Sequence, residues 1–579
     1  MTSPTVRTEK PTGIKRYIPI LAWLPLYDRS WLGFDAIAGL TLWGLLVPES
    51  MAYAGLAGLP PQAGLYTLVV SLLVYGLFGT SRHLSVGPTS ATAVLLASSV
   101  AAAVALAAVD ASDVTTYVTY AAAFVLVVAL VFLVAGFAKL GFVTQFLSKP
   151  VMDGFVLGIA IFVAVGQLNK LFGVEKPDGN VPEKLVQLVR ELPTANWTTF
   201  AVGAAALALL FLLPRLSKKL PAGLIVLFAG IGLSSALDLN GKYGVEIVGQ
   251  LPAGLPSLVL PVIPLTDYLA MILPALAVVL VAFSEALGVA QEFAEKHGYE
   301  VDSDQELIAH GATNLASSLV GGMIAAGGMS GSAVKEGAGA RTQVANLIAW
   351  AVTIITVLFL TPLFTSLPEA VLAALIIHAV WHLIAARKLN ALRSVAPNEF
   401  WFGVVALLGV LLIDVLEGMI IGLLASLLFV VFRSSRPHVS SLGRAPGQPG
   451  VYSDLGRNPG NTPVPGVLIV RPDEPVYYAN WRTVRDRVKA LIEELPSPPR
   501  VVILDASNQF EVDYTSTVGI AGLVRELAAS GIDVYFVGVH TSVLAADRTG
   551  LFAPVVEGHS FPTIDDAVRH IEAAMLMDS

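Results

Sequence analysis

Long apolar stretches recur from Trp31 to Phe432, near 32–56, 62–79, 88–109, 114–138, 150–169, 197–213, 221–237, 267–290, 307–325, 330–340, 343–364, 368–384, 400–414 and 416–432. A helix needs about 20 apolar residues to cross the hydrocarbon of a bilayer. The pattern therefore predicts about fourteen membrane helices. Several stretches are short and two open on glycine and serine, so they read as incomplete or broken helices. After Arg436 the chain becomes rich in glycine and proline (PHVSSLGRAPGQPGVYSDLGRNPGNTPVPG) and is expected to be a linker over 434–463. Beyond it the period changes. GVLIV, RVVILDA and IDVYFVG read as strands; WRTVRDRVKALIEEL, STVGIAGLVRELAASG and TIDDAVRHIEAAM read as helices. This alternation predicts a small α/β domain over 464–579.

Composition sharpens that division. Charged residues make up 13% of the chain, hydrophobics 55%, and the mean hydropathy is +0.72, values that exclude a soluble enzyme. From Val464 onward 9 Lys and Arg stand against 16 Asp and Glu, whereas the preceding 463 residues carry only 26 against 27. A charge-poor membrane body is thus followed by a charged soluble tail. Nothing is basic enough to suggest nucleic acid as a partner. The absence of cysteine removes disulfides and thiolate chemistry from consideration. No nucleotide loop, hydrolase or zinc-protease motif occurs, so neither an enzymatic activity nor a cofactor is expected.

Basic residues mark one side of the body. They occupy the head (Arg7, Lys10, Lys15, Arg16), which lacks the apolar core of a cleaved signal, and alternate connections at Arg82, Lys139 and Lys149, Arg215, Lys218 and Lys219, Arg387, Lys388 and Arg393, and Arg433 and Arg436. By the positive-inside rule, residues 1–30 and the tail are both expected in the cytoplasm, with a multi-pass body over 31–433 in the cell membrane.

Few polar groups fall inside the apolar segments, and those few carry the chemistry. Pro48 removes a hydrogen bond from an apolar helix, and Glu49 follows it. An ionised carboxylate in hydrocarbon costs at least about 2.5 kcal/mol, so such an acid is a functional candidate by default. Tyr53 lies one turn on, on the same face. Glu285 closes a second long apolar run, where a carboxyl able to exchange a proton suits proton coupling. Two starts rich in small residues, Ser85-Val-Gly-Pro-Thr-Ser-Ala and Gly327-Gly-Met-Ser-Gly-Ser-Ala, lie in corresponding halves. Paired interrupted segments point to a site built from half-helices, whose free N–H groups and positive dipole ends attract an anion. His378 and His382 sit one turn apart, but without a third ligand a packing role is favoured over metal. Asn196-Trp-Thr is a formal glycosylation sequon.

In order along the chain, VPESMAYAGLAGLPPQAGLY, YGLFGTSRHLSVGP, QELIAHGATNLASSLVGG and SGSAVKEGAGART resemble the SulP anion transporter family (solute carrier family 26). The resemblance runs from about Trp31 to Phe432, and the tail resembles a STAS domain. It implies two inverted seven-helix repeats forming a core domain that moves against a gate domain, and a homodimer. It also implies an anion held between the starts of the third and tenth helices, beside the first and eighth. Tyr53, Pro88, Thr89 and Ser330 fall on those lining positions, Gly331 and Ser332 continue the tenth-helix start, and Glu285 falls on the acid linked with proton coupling. Two positions depart from the family: Glu49 stands where glutamine is common and Gly331 where arginine is common. Lys335 is a candidate replacement for the missing charge, although pairing with Glu336 is equally open. In the tail, Thr515 falls where related bacterial regulators carry a phosphorylatable serine.

The expected function is secondary active transport of a small anion of the sulfate, bicarbonate, chloride or dicarboxylate class, by an elevator-type alternating-access movement. With two carboxylates and no arginine at the site, anion binding is expected to need a proton on Glu49 or Glu285, giving symport. The alternatives are a proton-coupled nucleobase or neutral-solute permease and a passive anion channel.

Overall fold

The computed structural model describes residues 13–109, 113–142, 149–175, 177, 179–216, 222–252, 254–381, 383–384, 386–511, 513–546, 550 and 553–577. These form two compact units, residues 1–426 and 427–579.

In the membrane body the chain runs through α1 (Leu32–Leu56), α2 (Pro61–Phe78), strand β1 (Val86–Gly87), α3 (Ser90–Ala107), α4 (Val114–Phe137), α5 (Lys149–Gly166), α6 (Val181–Glu191), α7 (Trp197–Leu216) and α8 (Ala222–Leu237). It continues with α9 (Ile272–His297), α10 (Ser303–Leu319), strand β2 (Ala326–Gly327), α11 (Met329–Gly337), α12 (Val344–Ile355), α13 (Glu369–Trp381), α14 (Pro397–Leu412) and α15 (Val415–Ser434). Among the described residues nine helices are long and apolar enough to cross a membrane, and α8, α13 and α14 are shorter apolar ones. The two remaining expected stretches are α10, which carries a polar stripe, and α11, which has nine residues. Val134, Phe137, Leu273 and Phe359 point outward, as side chains facing lipid do.

Packing separates two bundles. Helices α1–α4 and α9–α12 pack chiefly on one another, as do α5, α7, α8, α13 and α14; α1 against α8 and α13, and α3 against α5, join the two sets. Without a hydrophobic drive between helices in lipid, close approach relies on small residues. A Cβ added at Gly64 of α2 would sit 1.9 Å from the Ser50 carbonyl oxygen of α1, one residue beyond Glu49. Gly64→Ala is therefore expected to lower the melting temperature in detergent, overpacking costing about 1–3 kcal/mol. Gly232→Ala, where nothing lies within 4 Å, is expected not to do so. Equal melting of the two variants would contradict this account.

The second unit holds a six-stranded sheet of β3 (Val439–Arg444), β4 (Tyr452–Asp454), β5 (Val467–Pro472), β6 (Val501–Asp505), β7 (Asp533–Val537) and β8 (Ser560–Phe561), in the order β4-β3-β5-β6-β7-β8. β5 to β8 are parallel and β3 joins antiparallel, with Val439 opposite Pro472 and Leu442 opposite Ile469. Alternate residues feed opposite faces. Leu468, Val470 and Val502 meet α16 (Trp481–Glu493) and α17 (Tyr514–Ala529); Val467, Ile469 and Ile503 meet α18 (Ile564–Met577). Residues 434–463 are thus not simply a linker, because β3 and β4 lie within them. Their glycines and prolines conceal short strands: β3 pairs with β5, a partner that local composition does not show, and β4 pairs in turn with β3.

Candidate functional site

The site forms where the chain twice turns back on itself. β1 and β2 pair antiparallel, Val86 with Gly327 and Gly87 with Ala326, and each strand leads within three residues into a helix, α3 or α11. α3 packs against the Leu265–Ala270 segment that precedes α9, while Glu336 near the end of α11 ion-pairs at 2.9 Å with Lys296 near the end of α9. The two helices therefore leave the strand pair in opposite directions and present their N-terminal ends to one region.

Those ends differ in how they are capped. Thr89 caps α3 reciprocally with Thr92, each backbone N–H reaching the other's hydroxyl at 3.2 Å, and the buried Pro88 precedes it. Gly328 caps α11 without a side chain. Among the described residues no protein acceptor takes the N–H groups of Ser90, Ala91, Met329, Ser330 or Gly331. Such groups at converging helix starts suit an anion.

α1 continues unbroken through Pro48 and places Glu49 and Tyr53, both buried, beside these ends. Ser330 lies close enough to act on the Glu49 carboxyl. Tyr53 lies within electrostatic reach of both Glu49 and Glu285, and Glu285 is half-buried on α9. Four sequence candidates on three helices thus come together, and among the described residues no lysine or arginine acts on either acid. Gly331 is walled by α1: an added Cβ would meet Leu46 at 3.3 Å and Leu42 at 3.5 Å.

Two candidates behave otherwise. The Ser332 hydroxyl accepts from the Ser85 N–H at 2.9 Å and donates to the Gly328 carbonyl at 2.7 Å, so it is occupied by backbone. Lys335 is completely buried and directs its ammonium to Gln343 Oε1 at 3.2 Å and the Leu84 carbonyl at 3.4 Å. Its hydrogen bonds thus go to protein oxygens, and Glu336 pairs with Lys296 and His297.

Sequence reasoning passed over the groups that hold the strand pair. Asn314 on α10 accepts from the Ala325 N–H and donates to its carbonyl, both at 2.9 Å. Thr67 accepts from the Met323 N–H at 2.8 Å. Glu306, Asp35 and Gln305 are also buried; Asp35 takes the N–H groups of Arg341 and Thr342. The signal was present as a polar stripe, Glu306, His310, Asn314 and Ser318, at four-residue spacing through QELIAHGATNLASS.

Elsewhere, His378 packs edge-on against Phe211 with ring centroids 5.0 Å apart, and His382 lies outside the described residues. Asn196 caps α7, its Oδ1 accepting from the N–H groups of Thr198 and Thr199 and its amide donating to the Tyr243 carbonyl at 2.8 Å. Thr515 is exposed at the start of α17, where its N–H donates to Asp513 at 2.9 Å. Burial pushes the Asp513 carboxyl up, but hydrogen bonds from Ser516 and from nearby backbone N–H groups outweigh it and hold the group below the usual carboxylate range. A phosphate on Thr515 would therefore meet an ionised carboxylate.

Comparison with known proteins decides the family, because the sulfate permease family matches residues 32–406 and the STAS domain matches 460–567. The chain belongs to the sulfate permease family. Members of this family are transporters rather than enzymes. A probable sulfate transporter of Mycobacterium tuberculosis is 34% identical over 544 residues, covering 94% of this chain and 96% of that protein. Human solute carrier family 26 member 6 is 34% identical over 499 residues, 82% of this chain and 65% of that protein. The structure of the murine solute carrier 26 family member A9 anion transporter in the inward-facing state superposes with a TM-score of 0.89 at 25% identity, covering 98% of this chain and 97% of that one. This sulfate permease family member is accordingly a multi-pass helical membrane protein carrying a STAS domain, with its paired half-helix starts and acids in the membrane body.

Proposed function

We propose that the protein is a secondary active transporter of a small anion, drawn from the sulfate, bicarbonate, chloride or dicarboxylate class and carried together with a proton. The observation that carries this reading is the convergence, among the described residues, of N–H groups from α3 and α11 without a protein acceptor on a region that also holds Glu49, Tyr53 and Glu285, with no described lysine or arginine acting on either acid. Helix N-termini favour negative charge, while two ionised carboxylates at the same place repel it. A proton taken up by Glu49 or Glu285 removes that repulsion, so anion and proton enter together. The two bundles supply the movement: α1–α4 with α9–α12 carry the site as a core past a gate of the remaining helices, in the manner of an elevator. The same reading has both termini in the cytoplasm, the body in the cell membrane and a homodimeric assembly. The sulfate and anion transporters among the relatives support an anionic substrate.

Radiotracer uptake of sulfate, bicarbonate, chloride and a dicarboxylate into proteoliposomes, with and without an inward proton gradient, tests this. One of the four is expected to accumulate against its gradient, and to do so more strongly when protons run inward. Uptake indifferent to the proton gradient would refute coupling, flux that only dissipates an anion gradient would indicate a channel, and uptake of uracil with none of the anions would indicate a neutral-solute permease.

A further inference from the structure

The two groups of a single peptide unit, Leu84–Ser85, are held by one face of α11. The Ser85 N–H donates to Ser332 Oγ at 2.9 Å, and the Leu84 carbonyl accepts from Lys335 Nζ at 3.4 Å. Ser332 and Lys335 are almost one helical turn apart, which places them on the same face. The grip extends on both sides. The Gly328 N–H donates to the Ser85 carbonyl at 3.3 Å, and the Leu84 carbonyl also accepts from Gln343 Nε2 at 2.9 Å and Asn346 Nδ2 at 3.4 Å. The next residue, Val86, begins β1.

A completely buried ammonium costs several kcal/mol unless it is paired and hydrogen-bonded. Here the balancing charge is Asp35, buried in α1 and within electrostatic reach of Lys335, while Asp35 is itself held by the N–H groups of Arg341 and Thr342. The charge that acts on Lys335 is thus a carboxylate of the protein, and the two hydrogen bonds of its Nζ go to carbonyl oxygens of the protein. Its function in this place is to donate, not to attract an anion.

We propose that Ser332 and Lys335 are positioning residues that clamp the Leu84–Ser85 peptide and thereby set the start of α3 against the start of α11, fixing anion affinity without touching the anion. The inference rests on the anion-binding reading of the two helix starts. Its geometry can be tested without that reading, so the experiment has two arms.

In the first arm, hydrogen exchange by mass spectrometry on the purified full chain follows the peptide containing Ser85 and Val86. Ser332→Ala and Lys335→Met are expected to raise exchange there, whereas Lys335→Gln, whose amide can still donate to the Leu84 carbonyl, is expected to preserve protection. In the second arm, uptake is measured with whichever of sulfate, bicarbonate, chloride or succinate the unaltered protein accumulates most. Ser332→Ala and Lys335→Met are expected to raise KM about tenfold, the order expected for loss of one buried hydrogen bond, with the maximal rate largely kept. Lys335→Gln is expected to restore KM to near the unaltered value. Equal impairment of the Met and Gln variants would assign Lys335 a role through charge and overturn the clamp, as would unaltered exchange at Ser85 in Ser332→Ala. Absence of any anion uptake by the unaltered protein, with exchange as expected, would overturn the transport reading and the clamp's effect on affinity while leaving its geometry intact. Should Lys335→Met fail to fold, Ser332→Ala and Lys335→Gln decide both arms.

Discussion

In proteoliposomes with an inward proton gradient, Glu285→Gln is expected to abolish the added accumulation of anion that the proposed coupling would give the unaltered protein. One pH unit is worth about 1.36 kcal/mol per proton, so a one-proton symporter gains about a tenfold accumulation ratio from it. Glutamine keeps the size and the hydrogen-bonding edge of the side chain but cannot take up and release a proton. The variant is therefore expected to give the same uptake with and without the gradient while still exchanging labelled for unlabelled anion. Undiminished proton-driven accumulation in Glu285→Gln would shift the coupling to Glu49, the other acid within reach of Tyr53. The same loss in Glu49→Gln, together with weakened exchange, is the expected companion result, because Glu49 also lies beside Ser330 at the start of α11.

The second large effect is structural. Glu306 is buried and receives the Tyr75 hydroxyl at 2.9 Å, the Thr80 N–H at 2.7 Å, the Thr80 hydroxyl at 2.6 Å and the Ser81 N–H at 3.2 Å. Glu306→Ala strands these donors, and a buried donor left without an acceptor costs about 1–3 kcal/mol. A loss of several kcal/mol is expected, read as a large drop in melting temperature in detergent without added anion. Glu306→Gln, which retains one acceptor oxygen, is expected to recover part of it. An unchanged melting temperature in Glu306→Ala would refute this role. Because the segment from Thr80 to Ser85 leads directly into β1, loss of transport is expected to accompany loss of stability.

What was legible in the sequence follows a physical division. Glu49, Tyr53, Glu285 and the two serine-glycine starts stood out because each is a polar interruption of local apolar sequence, and membrane insertion penalises such interruptions. The structure brings Glu49, Tyr53, Glu285 and Ser330 together. Asp35, Glu306 and Asn314 were less visible because they lie near helix ends or within a polar stripe, where local context does not mark them. Their partners are backbone groups distant in sequence: Arg341 and Thr342 for Asp35, Thr80 and Ser81 for Glu306. Ser332 shows the same limit from the other direction. Its place beside Ser330 suggested substrate contact, yet its hydroxyl is taken by Ser85 and Gly328. The strands at 439–444 and 452–454 were hidden because short strands acquire their identity from their partners, β5 for the first and the first for the second, not from their own composition.

The pairing of Val86 with Gly327 and Gly87 with Ala326 also bears on how the protein is made. While a ribosome is still synthesising the first half, β1 has no strand partner, and neither Ser332 nor Lys335 exists to hold Leu84 and Ser85. A nascent chain released before residue 327 would carry an unpaired backbone edge into the bilayer, where unsatisfied N–H and carbonyl groups are costly. Insertion of the early helices and assembly of the site are therefore separate events in time. Quality control in the membrane has a defined interval, between synthesis of α3 and synthesis of α11, in which to recognise an unfinished molecule.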